Sequence, residues 1–94
     1  MVSRYHLGEI VISKAGRDIN NAYIIVEKEN DAYVKVADGI NKRVEYPKRK
    51  NIKHLKLTGD IVEELSIWLD KGKRIRNEDI KLYLKDYQKN EEAN

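Results

Sequence analysis

LGEIVISKAGRDINNAYIIVEKENDAYVKVAD, residues 7–38, sets three β-branched runs between two turn segments. Residues 7–13 read as a first strand because Ile10, Val11 and Ile12 suit a pleated, half-buried surface. The loop KAGRDINN follows. Gly16 there permits a positive φ, and Asp18, Asn20 and Asn21 can bond their own backbone, which is turn chemistry. Residues 23–27 form a second strand, Glu29-Asn30-Asp31 a tight reversal, and residues 32–38 a third strand ending at Asp38-Gly39.

Beyond that stretch, residues 43–46 predict a short fourth strand stopped by Pro47, which cannot donate a ladder hydrogen bond. Ile52, Leu55 and Leu57 do not share a strand's parity. A 3₁₀ turn buries Ile52 and Leu55 together. From Asp60 the period changes, because Ile61, Val62, Leu65, Trp68 and Leu69 make one helical stripe. Asp60 with Glu63 resembles a capping box, and Lys71-Gly72-Lys73 supplies a basic last turn with a glycine stop. A second helix starts at Asn77, with Ile80, Tyr83, Leu84 and Tyr87 on one face. The class is therefore α+β: a small β-barrel over residues 1–58, then a helical hairpin over residues 59–94 packed on it as one compact unit.

Ninety-four residues support one modest core. With no cysteine and only His6 and His54, neither disulfides nor a closed zinc site can form. No apolar run resembles a signal peptide or a membrane span, so a cytoplasmic location without membrane contact is expected, and a monomer when free. Net charge is only +3, but it is unevenly placed. Residues 1–56 hold twelve Lys or Arg against seven Asp or Glu, whereas residues 57–94 hold seven against nine. The densest block runs from Lys42 to Lys56, with Lys42, Arg43, Lys48, Arg49, Lys50, Lys53 and Lys56 against Glu45 alone.

Such a run is often no more than a solvated surface. Here it surrounds a proline turn, and Lys14 and Arg17 of the first loop are expected at the same barrel end, which makes a phosphate-contacting surface. Asn51 and His54 lie inside the block and are candidates for bases or 2′-hydroxyls, although His54 suits holding the 3₁₀ turn by bonding backbone better than reading a base. Among the tyrosines, Tyr46 adjoins the basic turn and is the candidate stacking platform. No carboxylate pair, phosphate-cradling glycine loop or activated serine is evident, so no catalytic centre and no cofactor or metal site is read. Glu78 and Asp79 at the second helix's start disfavour phosphate there.

The segments GEIVISKAGRD (residues 8–18), VKVADG (residues 34–39) and RKNIKHL (residues 49–55) resemble, in order, parts of the KOW-domain proteins. The likeness is to the ribosomal L-fourteen-e type and its short bacterial relatives, and the Asn77-Glu78-Asp79-Ile80 helix start is similar to the latter's tail. This resemblance implies an SH3-like barrel and association with RNA, ribosomal RNA or the ribosome, with Lys14, Gly16 and Arg17 contributing to binding. The chain departs from the pattern at Ile19-Asn20, where relatives commonly carry Lys-Gly. Structured-RNA binding by a non-enzymatic protein is thus the expected function, through Lys14, Gly16, Arg17, Lys42, Arg43, Tyr46, Lys48, Arg49, Lys50, Asn51, Lys53 and His54. The alternative is a protein-interaction module of the translation or transcription machinery, docking through the helices.

Overall fold

The computed structural model describes residues 5–93, with side chains through residue 88. Its strands are β1 (Glu9–Ser13), β2 (Ala22–Lys28), β3 (Tyr33–Ala37), β4 (Lys48–Asn51) and β5 (Leu55–Ile61), with a 3₁₀ turn at Ile52–His54 between the last two. Helices α1 (Glu63–Asp70) and α2 (Asn77–Ala93) follow. The strands pair antiparallel in the order β4-β3-β2-β1-β5.

Strand pairing turns the apolar runs into two clusters. Ile10 pairs with Ile24, and Ile24 with Ala37, so these residues share one face of the sheet. On that face Ile10, Ala22, Ile24 and Ala37 pack with Leu65, Ile75, Ile80 and Leu84 from the helical half. The opposite parity gathers Val11, Tyr23, Ile25, Val34, Val36 and Leu55, with Tyr5, on the sheet's other face. A sheet buried on both sides explains why β1 and β2 carry nearly continuous apolar runs rather than clean alternation. Register shifts at Val26 in β2, and between Leu57 and Ile61 in β5 opposite Ile10, add local twist.

Curl is deep enough that Lys50 Nζ in β4 reaches Ser13 Oγ in β1 at 3.1 Å. In a flat sheet those strands, three positions apart, would lie about 14 Å from each other. Even so, β4 and β5 do not pair, and both remain edges. The sheet is curled but not hydrogen-bonded into the closed barrel that the sequence predicts.

The predicted fourth strand at 43–46 is instead a turn, in which the Tyr46 N–H donates to the Arg43 carbonyl. Strand β4 begins after Pro47, a position that tolerates a missing N–H as well as a strand end does. The Asp60 cap is also corrected. Strand β5 runs through Ile61, paired with Glu9, and Val62 takes the N-cap position of α1 without a side-chain bond. Thr58 holds this segment in the sheet: its hydroxyl donates to the Ile10 carbonyl at 2.6 Å and accepts the Asp60 N–H. The predicted stop after α1 is present. Gly72 (φ 72) donates to Leu69 and Lys73 to Trp68, the paired bonds of a Schellman ending.

Two glycines set how closely the helical half docks. A Cβ on Gly8 would meet the Ser66 backbone nitrogen at 2.9 Å, and one on Gly39 the Asn77 carbonyl oxygen at 2.5 Å. Asn77 is itself buried and anchors α2 to the β3–β4 loop: its Oδ1 accepts the Val44 N–H, and its Nδ2 donates to both Glu45 carboxylate oxygens. No helix among the described residues is long and apolar enough to cross a membrane.

Candidate nucleic-acid interface

The basic block divides into cations already bound to carboxylates and cations that are not. In β4, Lys48 and Lys50 share the parity of Val36 and Val34, so both point inward. There Asp18 receives them, with Lys48 Nζ on Oδ2 at 3.0 Å and Lys50 Nζ on Oδ1 at 3.2 Å. The same carboxylate accepts the Ser13 hydroxyl at 2.9 Å and the Tyr23 hydroxyl at 2.8 Å. Lys50 is 8% exposed and so is a structural residue of the seam between β4 and the β1–β2 loop.

Burial opposes ionisation of Asp18, but hydrogen bonds from Tyr23, Lys48, Ser13 and Lys50 outweigh it and hold the carboxyl well below the usual range. Burial, and then the bond to Asp18, pushes the Tyr23 hydroxyl up to about 12. Tyr23 is therefore a core hydrogen-bond donor with no face for a base. Tyr5 is likewise buried, its hydroxyl donating to the Asn30 carbonyl.

Arg49 lies on the outer side of β4, where its Nε donates to Glu29 at 2.6 Å and its guanidinium stands 3.6 Å over the Tyr33 ring. That occupies Tyr33 as a stacking surface. Arg43 pairs with Glu45 at 3.5 Å. Bonding by Asn77, more than by Arg43, keeps the Glu45 carboxyl below its ordinary value. Tyr46, the last residue of this turn, is 86% exposed, as a stacking platform requires.

Lys14, Arg17 and Lys53 are exposed, Lys42 is half-buried, and none forms an ion pair among the described residues. Lys56 is likewise exposed and in no ion pair among the described residues. These groups are brought together by backbone bonding. The Lys14 N–H donates to the His54 carbonyl at 2.8 Å, and Ser13 pairs with Leu55, which sets the first loop beside the 3₁₀ turn. His54 thus ties the turn through its carbonyl, leaving its imidazole exposed. The Asn51 side chain accepts the Lys53 N–H at 3.0 Å, capping the turn and leaving its amide nitrogen for another acceptor.

The β1–β2 loop has defined geometry. Gly16 sits at φ 85, and Asn20 at φ 72, a left-handed conformation that asparagine tolerates better than most residues. The Asn20 N–H reaches the Ser13 carbonyl, and the Ser13 N–H the Asn21 carbonyl. Asn20 thus takes a conformation usually left to glycine, and Ile19 beside it adds no charge to the loop. Lys42 stands on the β3–β4 loop, where Asp38 Oδ1 accepts its N–H at 2.8 Å.

Sequence reasoning missed two features. It read Asp18 as ordinary turn chemistry, because nothing local shows that two lysines thirty or more residues away turn inward to it. It also read the segment KGKRIR, residues 71–76, only as a helix stop, although four cations in six residues were visible. No family model matches the chain, and no curated protein is significantly similar to it.

Proposed function

We propose that this protein binds structured RNA, ribosomal RNA in particular, through a cationic surface built by the β1–β2 loop, the 3₁₀ turn and the start of β5. The observation that carries the reading is the sorting of charge. Among the described residues Lys14, Arg17, Lys53 and Lys56 remain exposed and unpaired around the Lys14–His54 backbone bond, whereas Arg43, Lys48, Arg49 and Lys50 bind carboxylates. Unpaired cations release counterions on meeting phosphate without first breaking an internal pair. Lys42 and Tyr46 on the neighbouring β3–β4 loop extend the surface, and Asn51 and His54 supply polar contact at its centre.

The strand order, with a 3₁₀ turn between the two edge strands, is the meander expected of an SH3-like fold and supports the KOW-type reading. The positive φ of Asn20 supports it too. Trp68 and Tyr87 pack against the core instead of forming an outward patch, which weighs against docking through the helices as the main activity.

The test is RNA affinity against salt. If five cations contact phosphate, log affinity falls with log salt at a slope of about −4. Replacing Lys14, Arg17 and Lys53 with Glu removes binding while the melting temperature stays near that of the wild type. A salt-independent interaction, or unchanged affinity in this folded variant, refutes the proposal.

A further inference from the structure

A groove of about 650 Å³ runs between the β3–β4 loop and the segment joining the helices. Its size suits one small organic group. Val44, Leu69 and Ile75 contribute apolar lining, and Lys73 and Arg74 stand at its wall. Ile75 is 4% exposed, so it pins the joining segment to the core. The Schellman bonds fix one end of that segment and buried Asn77 fixes the other.

Charge in the groove is decided by what its ion pairs leave over. Arg43 is paired with Glu45, Glu27 with Lys35, and Arg76 with Asp79. Among the described residues Lys73 and Arg74 then remain against Glu78, and Lys71 adds a further exposed cation two residues away. The pairing of Asp79 with Arg76 also removes half of the acidic charge expected to repel phosphate at the start of α2. Exposed Tyr46 lies between two residues that line the groove, Glu45 and Pro47.

From this combination we infer that the groove is a second RNA subsite, taking an unpaired nucleotide whose base lies on the apolar lining or Tyr46 and whose phosphates meet Lys73 and Arg74. The inference rests on the RNA-binding reading. The β3–β4 loop bears on both sites, since it carries Lys42, assigned above to the first, and lines the second with Arg43, Val44 and Glu45. A cationic wall over an apolar lining is the arrangement that binds single strands, where phosphates meet charge and bases meet carbon. Duplex RNA keeps its bases stacked inside and would use only the first site.

The experiment compares a blunt-ended RNA duplex with the same duplex bearing a single-stranded uridine tail, against the wild type and a Lys73→Ala/Arg74→Ala variant of the full chain. Both replaced side chains are exposed, so the variant should fold, and circular dichroism with thermal melting checks this. The wild type is expected to bind the tailed RNA roughly tenfold more tightly, with the salt slope steeper by about 1–2. The variant loses that preference but keeps wild-type affinity for the blunt duplex. Equal preference for the tail in both proteins overturns the inference while leaving the first site standing. If wild type binds neither RNA, the RNA-binding reading itself fails; a polypeptide captured through Lys73 and Arg74 in place of RNA would also overturn the subsite.

Discussion

Asp18→Ala tests the seam most directly, because one carboxylate accepts from Ser13, Tyr23, Lys48 and Lys50 at 2.8–3.2 Å. Removing one partner of a buried ion pair costs about 3–5 kcal/mol, since the other charge is stranded. Here Lys48, whose side chain is 35% exposed, can turn to water, but Lys50, at 9%, cannot do so easily. Among the described residues Lys50 keeps only Ser13 Oγ at 3.1 Å. The loss therefore belongs near the lower bound, about 3 kcal/mol, which lowers the melting temperature by roughly 12–24 °C in a domain of this size. Urea unfolding followed by circular dichroism measures it. Adding Lys50→Met removes the stranded charge, and the double variant should recover about 1–2 kcal/mol. A single-variant cost under about 1 kcal/mol, or a double variant no more stable than the single, would show that the network behaves as an ordinary surface pair.

The same network has a defined pH response. The folded Asp18 carboxyl is depressed, so its contribution is complete above the unfolded value near 4 and is lost as pH falls toward the folded one; the stability gap between wild type and Asp18→Ala should narrow in acid. Tyr23 is raised, so its contribution is complete below about pH 10 and is lost as pH rises toward about 12. Tyr23→Phe should abolish that alkaline loss, read by denaturation across the window. Gly39→Ala combines left-handed strain at φ 79 with a Cβ 2.5 Å from the Asn77 carbonyl, and should cost about 2–5 kcal/mol. Gly72→Ala, with nothing within 4 Å, should cost only about 1–2 kcal/mol by the same unfolding assay. Reversing Lys48, Arg49 and Lys50 together to Glu should lower the melting temperature sharply as well as any RNA affinity, because it sets two acids against Asp18.

The strands around residues 7–38 were legible because apolar parity and turn residues agree, and α2 was legible from its stripe and its Asn77 start. Segment 43–51 was not. Pro47 is equally allowed before a strand and after one, so the charge run KRK was misplaced outside the ladder, and only pairing with β3 settles which lysines face inward. Asp60 satisfied the local capping pattern yet lost to the pairing of Ile61 with Glu9, a contact more than fifty residues away in the chain. For the candidate surface, sequence located the cations but could not separate Lys50, spent on Asp18, from Lys53 three residues later. That distinction rests on strand parity and sheet curl, which are non-local.

The inward turn of Lys48 and Lys50 also bears on self-association. Strand β4 is a sheet edge of only four residues, preceded by a proline. An incoming strand that added to it would have to accommodate ammonium groups on the side where apolar contacts are normally made, beside a position with no N–H to offer. Short length, proline and inward charge are three of the devices by which natural sheets discourage edge-to-edge growth. The residues that complete the core on this side thereby also guard the chain against templating its own aggregation.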